Sequence, residues 1–162
     1  MMTRVYIETT IPSFYDTLRT DVESVARMNW TRRWWSEFTR KFTLVSSPAV
    51  VAELRRGTGK TTSQRISLLK DAELLEITAQ VEDVAKVYID RRVMPDDPGG
   101  DALHLAVASV HGVDVLLTWN CRHLANPSKM EHIRLVNHEL GFAMPLLTTP
   151  LNYLSGDEFD AQ

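Results

Sequence analysis

Residues 97–120, reading DPGGDALHLAVASVHGVDVLLTWN, carry the pattern from which the fold follows. From about Ala102 to His111 the side chains of Leu103, Leu105, Ala106, Val107, Ala108 and Val110 leave almost no polar side. A helix apolar all round belongs inside a domain rather than on it. Gly99 and Gly100 before it and Gly112 behind it suit a helix start and a helix stop. Val113–Thr118 then reads as a short buried strand leading to the amide of Asn120. Asp101, His104 and, about two turns further on, His111 form a narrow polar stripe. A buried helix that keeps such a stripe faces something polar.

Upstream, Arg4–Ile7 is a run of strand formers ending at Glu8. Thr10 is the expected N-cap of the next helix, with Pro12 tolerated in its first turn. A long helix is predicted from Asp21 to about Arg40, with Trp30, Trp34 and Phe38 recurring every four residues. Core packing is the expected use of that stripe, and a docking groove for a partner is the alternative. Phe42–Val45 reads as the second strand, followed by a helix capped by Ser47, opened by Pro48 and stopped by Gly57. Within that helix Glu53 stands alone among Ala49, Val50, Val51, Ala52 and Leu54. It either reaches solvent, meets Arg55 or Arg56, or binds a cation, because a bare carboxylate in an apolar turn is costly.

The remaining elements are helices over Ser63–Lys70 and Val81–Arg91, a third strand over Leu74–Ile77, and a helix capped by Asn126 that runs to Leu140. Met130, Ile133, Leu135 and Val136 form that last helix's apolar face, Gly141 stops it, and residues 145–148 suit an edge strand. Strands alternating with helices define an α/β domain with a mostly parallel sheet and right-handed crossovers. One domain is expected over residues 1–150, with residues 151–162 as a frayed acidic tail.

Composition narrows the function classes. A net charge of −3 argues against gripping nucleic acid by bulk electrostatics, although a metal-dependent nuclease needs acids and only local cations. A single cysteine, Cys121, excludes an internal disulfide and points to the reducing cytoplasm, and no apolar run reaches the roughly 20 residues of a membrane span. The first twelve residues lack a signal-peptide core.

Glu8 ends the first strand, Glu53 lies in the helix after the second, and Asp101 opens the helix that feeds the strand ending near Asn120. If the first strand and Val113–Thr118 are neighbours, these residues converge at the carboxyl edge of the sheet, where open α/β sheets bind ligands. Three carboxylates so placed need a cation, and an all-oxygen set suits Mg²⁺ or Mn²⁺ better than zinc. Such an ion activates water and offsets the charge of a phosphate.

The segments VYIETTIPS (5–13), SSPAVVAELRRG (46–57) and GGDALHLAVASVHGVDVLLTWNCRHL (99–124) together resemble the PIN-domain family, above all its VapC-type toxins of bacterial toxin–antitoxin pairs. The resemblance covers essentially the whole chain. It implies a PIN-like three-layer α/β/α fold and an Mg²⁺- or Mn²⁺-dependent endoribonuclease. The family's acidic quartet transfers to Glu8, Glu53, Asp101 and the position of Asn120, with the first three as metal ligands. A homodimer is implied, together with an antitoxin whose C-terminal segment enters the acidic cleft. Two positions depart from the family pattern: Glu8 stands where Asp is usual, and Asn120 where a fourth acid is usual. These departures motivate the alternative of a PIN-fold module that binds a partner or RNA without turnover. Thr9, His104 and Thr118 are candidate supports of the site, and Arg55, Arg56, Arg122 and Lys60 candidate grips on RNA phosphates. A phosphatase with a covalent aspartyl phosphate is excluded, since it needs an Asp pair where this chain has Glu8 and Thr10.

Overall fold

The computed structural model describes residues 2–57, 59–97 and 100–154. Its strands are β1 (Arg4–Ile7), β2 (Thr43–Ser46), β3 (Glu73–Leu74), β4 (Val115–Leu117) and β5 (Leu146–Thr148). Its helices are α1 (Thr10–Tyr15), α2 (Val22–Phe38), α3 (Pro48–Arg55), α4 (Thr62–Ser67), α5 (Ala79–Asp90), α6 (Asp101–Val110), α7 (Pro127–Leu140) and α8 (Leu151–Leu154).

The strands form one sheet in the order β3-β2-β1-β4-β5, and every pairing is parallel. β1 lies at its centre. Val5, Tyr6 and Ile7 are fully buried, as befits a strand covered on both faces. The order reverses at β1, since β2 lies on one side of it and β4 on the other, and the polypeptide leaves both β1 and β4 at the same edge. That edge holds Glu8, Thr118 and Asn120.

Helix α6 is buried along nearly its whole length, from Asp101 to Ser109. It is tied to α5 and α7 by a closed polar knot in the core. Tyr88 donates to Asn137 Oδ1 (2.5 Å) and to Ser109 Oγ (3.1 Å), and Asn137 Nδ2 donates to Ser109 Oγ (3.0 Å). Asn137 is a polar residue on the face read as apolar, while Leu135 of the same helix is exposed.

The aromatic stripe of α2 packs into the core. Trp34 has no exposed surface, stacks on Phe38 and Phe42, and meets Tyr153 of α8 edge-on. Removing a buried indole of this kind costs roughly 3–5 kcal/mol. Trp30 stacks on Trp119, which binds this stripe to the end of β4. Trp34 is thus core, while Trp30 and Phe38 are half-buried against it and Trp30 also lines a surface hollow of about 450 Å³ with Trp119.

Several boundaries differ from the sequence reading for local reasons. Helix α2 begins at Val22 because Asp21 caps it, accepting from Ser24 N. Thr9, not Thr10, holds the cap position of α1, since the Thr10 hydroxyl is drawn to Glu8 instead. β3 is two residues long and earlier than expected, a short pairing at the sheet's edge. Helices α4 and α5 span Thr62–Ser67 and Ala79–Asp90, the latter capped by Thr78. His111 leaves the stripe of α6: it ends the helix and turns its Nε2 to Glu76 O (2.7 Å). The tail boundary moves as well, because Leu151–Leu154 is a helical turn held on α2 by Tyr153. Gly99 and the stretch from Ser155 lie outside the described residues.

Candidate active site

At the carboxyl edge of β1 and β4, a cleft of about 300 Å³ is lined by Glu8, Thr9, Glu53, Asp101, His104 and Asn120, with Thr10, Arg56, Asp97 and Gly100. Three separate elements bring in the three acids. β1 delivers Glu8, α3 delivers Glu53, and the first turn of α6 delivers Asp101.

Glu8 is only 4 % exposed, and three donors hold its Oε1. They are Thr10 N (3.1 Å), Thr10 Oγ1 (2.5 Å) and Thr118 Oγ1 (2.6 Å). The same hydroxyls accept backbone hydrogens in turn: Trp119 N donates to Thr10 Oγ1 and Asn120 N to Thr118 Oγ1. The longer side chain at this position is thus clamped by two threonines. Burial pushes the Glu8 carboxyl above its ordinary value, against the opposing pull of His104 and of these hydrogen bonds.

Glu53 is fixed at both oxygens. Thr9 Oγ1 donates to Oε2 (2.5 Å), and His104 Nε2 lies 2.9 Å from Oε1. His104 is itself buried, with Nδ1 2.8 Å from the Tyr6 hydroxyl, which is 2.7 Å from Ser47 Oγ. Burial works against a charged ring here, yet the bond to Glu53 and the fields of Glu8, Glu53 and Asp101 prevail and raise its pKa. A protonated ring donates to Glu53 and to the Tyr6 oxygen, and Tyr6 then donates to Ser47. His104, a candidate support of the site in the sequence, therefore positions Glu53.

Asp101 Oδ1 accepts from Asn120 Nδ2 (2.7 Å). Burial raises its pKa, opposed mainly by His123 and His104. Asn120 faces the cleft with its nitrogen. Its Oδ1 accepts from His123 N (3.0 Å), and its carbonyl closes the turn at Leu124 and Ala125. The amide oxygen is spent on the turn, and the nitrogen braces Asp101.

One possible ligand atom each from Glu8, Glu53 and His104 lies within 4.8 Å of the others, and Asp101 stands outside this tight group while lining the same cleft. Among the described residues, no Arg or Lys forms an ion pair with Glu8, Glu53 or Asp101. Both nitrogens of His104 already have partners, so the donor set left to a cation is carboxylate oxygen. That set fits Mg²⁺ or Mn²⁺. Of the arginines expected at the site, Arg56 lines the cleft, whereas Arg55 and Arg122 are exposed and do not. Thr10, Tyr6 and Ser47 are participants the sequence reading missed. The Thr-Thr pair after Glu8 was the available signal for the first, and nothing local distinguished the other two.

This is a PIN-like α/β fold with an acidic cleft at its switch point. Among solved structures, VapBC2 from Rickettsia felis bound to a DNA fragment from their promoter superposes with a TM-score of 0.59 at 15% identity, over 90% of this chain and 98% of that one. VapC20 from Mycobacterium tuberculosis, a sarcin–ricin loop cleaving toxin, gives 0.54 at 18% identity, over 69% and 86%. FitAcB from Neisseria gonorrhoeae gives 0.52 at 13% identity, over 91% and 98%. No protein-family model and no curated protein sequence matches the chain. At these identities the likeness is one of fold. No helix among the described residues is long and apolar enough to cross a membrane.

Proposed function

We propose that this chain is a divalent-metal-dependent endoribonuclease, the toxin of a toxin–antitoxin pair. The observation that carries the reading is the convergence of Glu8, Glu53 and Asp101 in one cleft, with no Arg or Lys among the described residues paired to them. Like charges so close, two of them desolvated enough to raise their pKa, call for a cation. Glu8, Glu53 and Asp101 would hold Mg²⁺ or Mn²⁺, and the ion when bound acidifies water and offsets charge on a phosphate under attack.

The chain's own residues supply the rest. Thr10 and Thr118 fix Glu8, Thr9 and His104 fix Glu53, and Asn120 fixes Asp101, so the acids are aimed before substrate arrives. Arg56 at the rim meets phosphate. In the hydrolysis, water oxygen bonds to phosphorus and the bond to the 3′ oxygen breaks, leaving a 5′-phosphate and a 3′-hydroxyl. RNA as substrate, a cognate antitoxin and a homodimer follow from the family resemblance, with the RNA-cleaving VapC20 as structural precedent for the substrate.

Cleavage of single-stranded RNA by partner-free protein with Mn²⁺, compared with Asp101→Asn, tests the reading. Expected is metal-dependent cleavage that falls at least about 100-fold in the variant. Equal cleavage by both proteins, or none by either, defeats it. The inward nitrogen of Asn120 favours a second reading, a PIN-fold module that binds RNA or a partner without turnover. Mn²⁺ binding with RNA retention but no cleavage selects that one.

A further inference from the structure

A second groove, of about 540 Å³, runs beside the acidic cleft and takes no part in it. It is lined by Ser13, Phe14, Arg19, Thr61 and Arg65, among others. The two hollows adjoin along both sides. Thr9 belongs to the cleft and Ser13 to the groove, one helical turn on, and Ser13 Oγ donates to Thr9 O (2.8 Å). Arg56 belongs to the cleft and Gly57 to the groove. Four residues of helix rise span roughly 6 Å, a distance that a polynucleotide backbone covers within a nucleotide or two.

The chemistry of the groove differs from that of the cleft. In a chain of net charge −3 it gathers Arg19 and Arg65, with Arg56 at the junction, beside the hydroxyls of Ser13 and Thr61. Arg65 lines the groove and is anchored by Nη2 to Asp16 O (2.9 Å). Phe14 supplies an aromatic ring in the same wall, and its ring already accepts Arg27 at 5.2 Å.

We propose that this groove is a subsite for the nucleotides of single-stranded RNA flanking the phosphate in the acidic cleft. Arg19 and Arg65 meet the phosphates, and Phe14 stacks a base. Cations that follow a backbone beside a stacking ring are the recurring means of holding a single strand. The subsite deepens the nuclease reading and rests on it for the choice of RNA. An apolar rim at Leu18, 79 % exposed, suits a peptide instead, and that outcome is built into the test.

The test is fluorescence anisotropy of a labelled single-stranded 12-mer RNA on the full chain in EDTA, which reads the groove without turnover and without a cation in the cleft. Arg19→Ala, Arg65→Lys and Phe14→Leu are compared with the parent at several salt concentrations. Expected is about tenfold weaker binding for Phe14→Leu. Arg19→Ala is expected to flatten the slope of log affinity against log salt by about 0.7. Arg65→Lys keeps the charge and loses the fork, so affinity falls while the slope holds. Thermal unfolding at the parent's Tm establishes that each variant is folded. Parental affinity and slope in all three folded variants overturn the subsite, as does RNA binding unaltered by them with loss of a co-purifying peptide. Parental cleavage with unaltered KM in the variants overturns the subsite alone and leaves the nuclease standing. Groove-dependent RNA binding without cleavage does the reverse.

Discussion

The two walls of the acidic cleft are built differently. On one side Glu8, Glu53 and His104 form a braced unit: the Glu8 Oε1, both oxygens of Glu53 and both ring nitrogens of His104 all have partners. Those partners come from β1, the start of α1, α3, α6 and the end of β4, so the unit is a joint between elements. On the other side Asp101 accepts from Asn120 Nδ2, its one side-chain bond among the described residues, and lines the cleft with Asp97. The difference teaches that preorganisation here is concentrated where the sheet converges. The Asp101 wall is held by a residue that also closes a turn.

The comparison is broken first by Glu53→Gln. The amide keeps the shape and the Thr9 contact but removes the charge, so Mn²⁺ affinity measured by titration calorimetry is expected to fall at least about 100-fold. Parental affinity in this variant means that the braced wall is structural only. A smaller effect comes from Asn120→Asp. The acid still accepts from His123 N but confronts Asp101 Oδ1 across what is now a 2.7 Å hydrogen bond. Metal-free Tm is expected to fall and Mn²⁺ affinity to rise about tenfold, with saturating Mn²⁺ restoring Tm. Unchanged affinity would place the cation away from this wall.

The smallest expected effect is the pH dependence of the metal-free protein. Glu8, Asp101 and His104 are all raised on folding, from ordinary values of 4.5, 3.8 and 6.5. Above each of those values the native chain holds protons the unfolded chain has released, so stability falls as pH rises. It is fully present below about pH 4 for the two acids, is lost through their raised range, and declines again above 6.5 as His104 gives up its proton. Melting between pH 5 and 8 is expected to show Tm dropping by a few degrees, less so with Mn²⁺. A Tm that climbs across this window contradicts the assignment of these groups.

Much of this was legible in sequence because the signals were local. An acid set in apolar neighbours, as at Glu53, or at the end of a strand, as at Glu8, announces itself through the cost of burying it. The all-apolar α6 and the Asn126–Gly141 helix, closed by a glycine at φ 84°, were equally plain. What escaped depends on partners far away in the chain. Tyr6 reads as a strand residue until β1 is laid against His104 of α6, 98 residues on. The orientation of the Asn120 amide is decided by His123 N, and the four-residue α8 exists because Tyr153 finds a gap against Trp34.

The central place of β1 also sets a clock. Glu8 is translated 110 residues before Thr118, the hydroxyl that fixes it, and β4 must pair with β1 before either is in position. At ordinary elongation rates that interval is roughly 5 to 20 seconds. Throughout it the growing polypeptide carries its first acid and no cleft, so whatever reactivity the finished fold possesses stays locked until the polypeptide has been made at least as far as Thr118.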